Sequence, residues 1–558
     1  MNKLHVCNKM KTFKKSQIVF VLLLFAYCIY AGIFIYRTSF VIDGERYFTL
    51  FDDAMISMRY AKNLANGYGL VWNPGGERVE GYTNPLWVLY MSIFHLFSIP
   101  QSKMSVFIQI SGALLLTINL FFVKKIAALF SNNSTLVSLS SVFLTAFYLP
   151  LNNWSLQGME VSALTLIMSI SILKTAQYIK SNTLSISIWF YILLGVGILI
   201  RIDMVVPFIA ILSFVLISNL KNRNKNFILG FIVFVLFVLL QTLFRIWYYG
   251  EILPNTYYLK MTGYPFSLRI SRGLYITFNL VWQMNWLLFL VPFGCILFRR
   301  DKVTLFLFWI FFVQVIYSIY VGGDAWEWWG GSNRYVCIVI PVFFILFSHG
   351  LVNLIYFLIN KIYYESAFIK NYTEYAVSIL VFISLVNFNT IYGIDALGEW
   401  LLIKRPLHVE GNKGMTELGL LLSKITSNQA KIAVVLAGVT PYFSNRYSID
   451  MLGKNDKKVA HENMRPHSGQ FYSRFSKYIN FYPGHMKWNY SHSIGKLKPD
   501  IVAQLWWSPE EAKLYLDNDY RKVKLQDFTF YLLKKSPNIL WEKLKTSSEW
   551  TIKFNDPL

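Results

Sequence analysis

Two adjacent carboxylates open a polar, glycine-rich stretch at residues 51–85 (FDDAMISMRYAKNLANGYGLVWNPGGERVEGYTNP), inside a chain that is otherwise largely apolar. Asp52 and Asp53 disfavour each other's ionisation, which would raise the proton affinity of one of them. A carboxylate of raised proton affinity can act as a general base on a hydroxyl group. The pair could instead bind a divalent cation, orient an acceptor, or cap the helix that AMISMRYAKNLA predicts.

Basic residues at the ends of apolar runs, or in the polar segments between them, form a second group of candidates. Guanidinium groups pair with phosphate oxygens bidentately, and a lysine adds a point charge. A phosphate is also a good leaving group, so one base and a cationic clamp would suffice for sugar transfer. Each arginine could equally anchor its span at the membrane interface. The predicted phosphate-binding residues are Arg59, Arg201, Arg245, Lys260 and Arg334.

The segment GGDAWEWWGGSNR (322–334) offers groups that could contact a sugar. Trp328 and its neighbouring tryptophans could stack on sugar rings, or could belong to the aromatic belt of the membrane interface. Asp324 and Glu327 are candidates for hydrogen bonds to hydroxyl groups. The other predicted sugar or acceptor contacts are Glu80, Tyr249 and Asn255.

The composition predicts a polytopic α-helical membrane protein. Hydrophobic residues make up 55% of the 558 positions, and the apolar runs indicate about eleven transmembrane helices. Much of the net charge of +23 lies in short basic clusters between these runs, which is the pattern that orients spans. No recognition motif accompanies the charge, so we expect no nucleic-acid partner. We assign 1–17 to a cytoplasmic tail and 18–393 to the transmembrane domain, with 37–104 as its first outer loop and 86–99 as an interfacial helix.

Residues 394–558 are more polar and predict an α/β domain on the outer side of the membrane. The apolar spacing at 415–425 is typical of an amphipathic helix, and KIAVVLAG, DIVAQLW and FTFYLLKK are typical of strands. His485, in a Pro-Gly-His turn, is expected to pack within this domain rather than to touch an acceptor.

The order of these motifs resembles the GT-C class of polyprenyl-phosphate-sugar-dependent glycosyltransferases, and most closely the bacterial branch that includes the terminal arabinofuranosyltransferases. The resemblance spans nearly the whole chain. It is carried by residues 51–87, by QGME and RID, by RIWYYGEILPNTYYLK, GGDAWEWWGGSNRY, AGVTPYFSNRYSIDMLGKND and YPGHMKWNY.

The resemblance implies an inverting transferase of the bacterial inner (plasma) membrane. Its donor would be a polyprenyl-phosphate sugar, and its acceptor an envelope glycan, a lipid or a protein on the outer face. An acid of the first outer loop would be the base, here Asp52 or Asp53, with Asp52 preferred. The tryptophans beside Asp324 depart from the arabinosyl pattern, so the sugar stays open between hexose and pentose, and lipopolysaccharide is one acceptor considered. The residues themselves specify no cofactor, and the acid pair could bind a divalent cation, Mg²⁺ or Mn²⁺.

Two other functions are compatible with a polytopic chain. A transporter of a lipid-linked sugar or polysaccharide would place ionisable residues near the middle of the membrane and often uses repeats. Here the charges fall at the predicted outer ends of spans, and no internal repeat is evident. A non-catalytic assembly protein would use the C-terminal domain for binding and would tolerate loss of the loop carboxylates.

Overall fold

The computed structural model describes residues 2–181, 186–218, 221–325, 327, 333–362, 367–391, 393–465, 481–546 and 552–554. Trp328, a predicted sugar contact, lies outside these residues. The chain divides into two compact units. The first unit combines Met1–Thr38, Ile108–Leu239 and Gly273–Leu407, and the second combines Ser39–Phe107, Leu240–Arg272 and His408–Leu558.

In the described part of the first unit, the regular secondary structure is helical. A helix satisfies its own backbone hydrogen bonds, which is what a segment in hydrocarbon requires. The α-helices lying wholly or partly in this unit are Asn2–Arg37, Met104–Phe130, Thr135–Ala146, Leu149–Leu156, Val161–Ser181, Ile188–Ile200, Val205–Ile217, Arg223–Tyr249, Phe266–Gln283, Trp286–Leu290, Gly294–Phe298, Lys302–Val321, Arg334–Cys337, Ile340–Ile362, Ala367–Asn389 and Ile394–Trp400.

Among the described residues, six helices are long and apolar enough to cross a membrane, or nine if each of three bent pairs forms one span. These nine, together with the shorter apolar helices Ile188–Ile200 and Ile202–Ile217, coincide with the eleven predicted spans. The multi-pass helical architecture is therefore confirmed, while the count of eleven stays a prediction. The predicted interfacial helix is Pro85–His95, whose 11 residues are too few to cross.

The second unit carries both described sheets. Its helices outside the long spans are Asp52–Ala65, Pro85–His95, Asn255–Met261, Val409–Ile425, Val439–Ser444, Lys457–Ala460, Pro509–Asp519 and Trp541–Thr546. A two-stranded antiparallel ribbon pairs β1 (Phe40–Ile42) with β2 (Glu45–Tyr47). The remaining strands are β3 (Lys431–Val434), β4 (Tyr447–Asp450), β5 (Ile501–Val502), β6 (Tyr520–Leu525), β7 (Phe528–Leu533) and β8 (Ile552–Phe554).

The six-stranded sheet has the order β4-β3-β5-β7-β6-β8. Strand β3 is parallel to both neighbours, whereas β7, β6 and β8 pair antiparallel. Its core includes Ala433, Ile449 and Val502, packed with Trp488 and Leu516. Ligand sites in such sheets form beyond the carboxyl ends of the parallel strands, so the segments after β3 and β4 are where a site is expected.

The predicted C-terminal sheet region is thus present. It shares its compact unit with residues 39–107 and 240–272, which the sequence analysis had placed with the transmembrane domain. The domain boundaries and the side of the membrane stay predictions.

Candidate active site

Asp52 begins the helix Asp52–Ala65 but does not cap it. The N-cap is Phe51, with no side-chain capping bond, so the interpretation of the acid pair as a cap of its own helix is wrong. Instead, Asp52 Oδ1 accepts the backbone N–H groups of Gly438 at 3.2 Å and Val439 at 2.8 Å. These amides follow β3, at the carboxyl end of the parallel strands, and they fix the orientation of the Asp52 carboxyl.

Burial raises the pKa of the Asp52 carboxyl to about 6. Lys454 and the two amides work against this rise, and the charge of Asp53 adds to it. A carboxyl that titrates near pH 6 is ionised at neutral pH and still has appreciable proton affinity, as general-base catalysis requires.

Asp53 pairs with a lysine that the sequence analysis did not single out. Lys454 Nζ donates to Asp53 Oδ1, and the side chains are only 11% and 15% exposed. Burial alone would lower the pKa of Lys454, but the charges of Asp53 and Asp52 raise it, so Lys454 stays protonated. The pair of acids therefore carries an internal counter-charge.

The loop that presents Lys454 is held from two sides. Asp450, at the end of β4, accepts the amides of Leu452, Gly453 and Asn455 at 3.0, 3.1 and 2.8 Å. Asn255 Nδ2 donates to the carbonyls of Gly453 at 2.8 Å and Lys454 at 2.9 Å. The predicted sugar contact Asn255 is 3% exposed, and its geometry makes it a support of this loop.

His485 and Lys260 belong to the same charged cluster as Asp53 and Lys454. Burial lowers the pKa of His485 to about 3; the charges of Lys454 and Lys260 act in the same direction, and Asp53 acts against them. The side chain of Lys260 passes beside Gly484, where an added Cβ would lie 3.0 Å from Lys260 Cγ. His485 is therefore neutral at pH 7 and lies in the electrostatic neighbourhood of Asp53 and both lysines.

Arg59, a predicted phosphate ligand, is 5% exposed and is used within the protein. Its Nε donates to Trp72 O at 2.6 Å, and its Nη2 donates to Asn73 Oδ1 and Arg446 O, both at 2.7 Å. Its Nη1 contacts Pro441 O and Ser448 Oγ. This geometry favours a structural role in joining the helix Asp52–Ala65 to the sheet.

Arg245 and Glu80 form a buried ion pair through two contacts, with Arg245 Nη2 at 3.3 Å from Glu80 Oε1. Tyr249 Oη lies 2.7 Å from Tyr82 Oη and donates to Leu70 O at 3.0 Å. These predicted ligand contacts bond to one another or to the nearby backbone and hold the first polar segment in place.

In the first unit, Arg201 lies between two carboxylates. Its Nη1 is 2.7 Å from Glu160 Oε1, its Nε is 2.6 Å from Asp203 Oδ2, and Tyr317 Oη donates to Asp203 Oδ1 at 2.5 Å. Glu160 is fully buried. Two acids compensate one guanidinium here, which favours a structural role.

Arg334 and Asp324 are also joined, with Nε 3.1 Å from Oδ2 and both side chains less than 5% exposed. Glu327 Oε1 accepts the Asp324 amide at 2.6 Å. These residues and Arg201 lie in the first unit, whereas Asp52, Asp53 and Lys260 lie in the second.

With the side chains in these positions, the acid pair is a poor binding site for a divalent cation. Backbone amides occupy Asp52 Oδ1, and the Lys454 ammonium occupies Asp53 Oδ1. In the described ranges, no three His, Cys, Asp or Glu side chains are grouped so that they could hold a metal ion. A cation site usually gathers several oxygen ligands, and these side chains do not form such a site as they lie here.

Replacing Gly438 by alanine is expected to disturb the packing of this segment against Asp52. An added Cβ would lie 2.0 Å from Asp52 O and 2.7 Å from its Oδ1, so one segment must shift, at about 1–3 kcal/mol. Gly411→Ala is the control, because its Cβ would meet no atom within 4 Å. Thermal unfolding of the full-length protein in detergent measures both; equal midpoints would contradict the described contact.

Residues 406–544 match a family model described as "Domain of unknown function (DUF8728)". A search of curated proteins finds no match by sequence. Among solved structures, the Archaeoglobus fulgidus oligosaccharyltransferase in the apo form is similar over 94% of this chain and 75% of its own, at 12% identity and a TM-score of 0.54.

Two further similar structures contain a bound lipid phosphate. The A. fulgidus oligosaccharyltransferase AglB, in complex with an inhibitory peptide and a dolichol-phosphate, matches at 13% identity, 97% and 76% coverage and a TM-score of 0.52. ArnT from Cupriavidus metallidurans, bound to undecaprenyl phosphate, matches at 11% identity, 77% and 85% coverage and a TM-score of 0.48, too low to carry an argument.

These identities establish the fold alone. The resemblance to the arabinofuranosyltransferase branch stays a prediction. The expectation for the architecture is confirmed: the chain has a GT-C fold.

Proposed function

We propose that this protein is an inverting glycosyltransferase that moves a sugar from a polyprenyl-phosphate donor to an envelope glycan, lipid or protein acceptor. The observation that carries the proposal is the fixed Asp52 carboxyl, with its pKa raised to about 6, next to a lysine-paired second acid in a GT-C fold. The dolichol-phosphate bound in the similar AglB structure supports a lipid-phosphate donor. The site would face the outer side of a bacterial inner membrane.

Asp52 would act as the base. The acceptor hydroxyl oxygen bonds to the anomeric carbon of the donor while the bond from that carbon to the phosphate oxygen breaks. The hydroxyl proton passes to Asp52, and the electron pair of the broken bond leaves with the polyprenyl phosphate. Attack opposite the leaving group inverts the anomeric configuration.

The lysines near the acid pair have separate roles in this scheme. Lys454 forms an ion pair with Asp53 and limits the rise in the pKa of Asp52. Lys260, beside Gly484, is the predicted phosphate ligand that the proposal retains, because an ammonium group stabilises a leaving phosphate. The four arginines of the predicted clamp have protein acceptors and are not required for this step.

The rate of transfer is expected to fall as the pH falls below 6. Protonated Asp52 cannot accept the hydroxyl proton, so kcat/KM should drop by about tenfold for each further unit of pH. The measurement is the initial rate of transfer between pH 4.5 and 8, with unfolding followed at each pH. A flat profile over this range, with the fold intact, would remove Asp52 as the base.

The proposal is tested in cells by mass spectrometry of surface glycans from a strain that lacks the protein. One sugar should be missing from a glycan, lipid or protein, and it should return with the wild-type gene and not with the Asp52→Asn variant. Unchanged glycans in the deletion strain would contradict the proposed function. The missing mass would also distinguish hexose from pentose.

A further inference from the structure

A cavity of about 200 Å³ opens within the second unit, between the first polar segment and the sheet. One water molecule needs a cavity of only about 10–15 Å³, and pockets for drug-sized ligands have about 300–1,000 Å³. The cavity therefore suits a compact ligand of roughly the size of one sugar ring.

The inner wall of the cavity is rigid because its polar groups are already bonded. Asp450 accepts the three amides described above and Asn455 Nδ2 at 2.9 Å. Asn73 Nδ2 donates to Ser448 O at 2.8 Å, and Asn73 Oδ1 accepts Ser448 N at 2.9 Å. A wall that is already formed costs a ligand little ordering free energy.

Other groups lining the cavity can reach a ligand. Tyr447 is 37% exposed, and the side chain of Glu77 is 63% exposed and 3.5 Å from Lys457 Nζ. Asp456 and His492 form a pair at 3.1 Å. The lining thus combines an aromatic face with separate hydrogen-bonding groups, as ligand pockets commonly do.

The charges of the lining are of both signs, with Glu77 and Asp456 against Lys431 and Lys458. A strongly charged ligand would meet repulsion from one set, whereas each hydroxyl of a neutral sugar can both donate and accept. The C–H face of a sugar ring can pack on the Tyr447 ring, which offers a large apolar surface.

The cavity is linked to the acid pair through one loop. Asn455 lines the cavity and directly follows Lys454, the partner of Asp53. Tyr60, in the helix that Asp52 begins, donates its hydroxyl to Asn455 Oδ1 at 2.9 Å. A ligand in the cavity would therefore contact the same loop that positions the counter-charge of the acids.

We infer that this cavity binds a neutral sugar ring of the acceptor, distinct from the ring that receives the transferred sugar. The assignment of the ring to the acceptor rests on the proposed function. Binding of a sugar in the cavity does not depend on transfer, so the two can fail separately.

The test is saturation-transfer difference NMR on the full-length protein in lauryldimethylamine oxide, a detergent without a sugar headgroup. The probes are methyl β-D-glucopyranoside, methyl β-D-galactopyranoside and methyl α-D-mannopyranoside. At least one should receive saturation at its ring protons from the wild type. Truncation of the aromatic contact in Tyr447→Ala should weaken this binding by about tenfold.

Matched variants separate the outcomes. Tyr68→Ala removes a tyrosine that is 58% exposed and does not line the cavity, so it should bind as the wild type does. Glu77→Gln, at an exposed position, should weaken binding without loss of fold even if Tyr447→Ala unfolds. No saturation of any probe by the wild type, or saturation by Glu77→Gln and Tyr447→Ala as strong as by the wild type, would overturn the inference.

The Asp52→Asn variant shows which proposal fails. It should bind the same probe as the wild type while transferring no sugar. Loss of transfer in Asp52→Asn without any sugar binding in the wild type would leave the proposed function standing and remove the cavity. Sugar binding that depends on Tyr447, with full transfer by Asp52→Asn, would support the cavity as a sugar site and contradict the proposed function.

Discussion

Asp52→Asn is expected to reduce the rate of sugar transfer by about 10²- to 10⁴-fold, because the amide cannot accept the proton of the acceptor hydroxyl. The amide oxygen can still accept the N–H groups of Gly438 and Val439, so the local geometry should persist. Initial rates with the purified full-length protein measure the effect. A rate within about threefold of wild type would contradict the assigned role of the base.

Thermal unfolding controls for damage to the fold in this variant. The pKa of Asp52 is raised from 3.8 to about 6 in the folded state, so the folded protein holds this proton more tightly than the unfolded chain does. The carboxyl therefore has no effect below pH 3.8 and destabilises the fold fully above about pH 6. At pH 7, Asp52→Asn should unfold at a temperature no lower than the wild type.

Lys454→Met is expected to lower transfer at pH 7 by roughly tenfold or more, and Lys454→Arg should restore much of it. Without the ammonium group, Asp53 loses this ion pair and only the two backbone amides still offset the burial of Asp52, so the pKa of Asp52 rises further. The acidic limb of the pH–rate profile should then move to higher pH. Lys424→Met, which removes an exposed partner of Asp43, should leave the profile unchanged.

Asp53→Asn is expected to shift the acidic limb of the pH–rate profile in the direction opposite to Lys454→Met. The charge of Asp53 raises the pKa of Asp52, whereas that of Lys454 lowers it. The residual activity of Asp53→Asn should therefore show an acidic limb at lower pH, and that of Lys454→Met one at higher pH. Shifts in the same direction in both variants would mean that Asp52 is not the group that titrates.

Much of the architecture was predictable because its signals are local. Apolar runs of sufficient length specify membrane helices regardless of their neighbours, and the strands β3, β5 and β7 follow from their composition. Asp52 and Asp53 could also be picked out as candidates from the sequence, since they are adjacent acids in a polar segment beside an apolar span.

The partners of the site were not predictable because they come from distant parts of the chain. Lys454 lies 401 positions from Asp53, and only the arrangement of β3 and β4 brings its loop to the acid pair. The predicted phosphate clamp meets the same difficulty. The sequence shows five cationic residues, but it does not show that Arg245 pairs with Glu80 or Arg201 with Glu160. The glycine-lysine-asparagine segment two residues after β4 was the one local signal for Lys454.

The most direct test of the account is release of polyprenyl phosphate in liposomes that contain the full-length protein and a polyprenyl-phosphate sugar. The acceptor is the truncated envelope material extracted from the deletion strain. The wild type should release one polyprenyl phosphate for each sugar transferred, in a linkage of inverted configuration, and Asp52→Asn should release almost none. Equal release by the two proteins, or none by the wild type with this acceptor, would contradict the account.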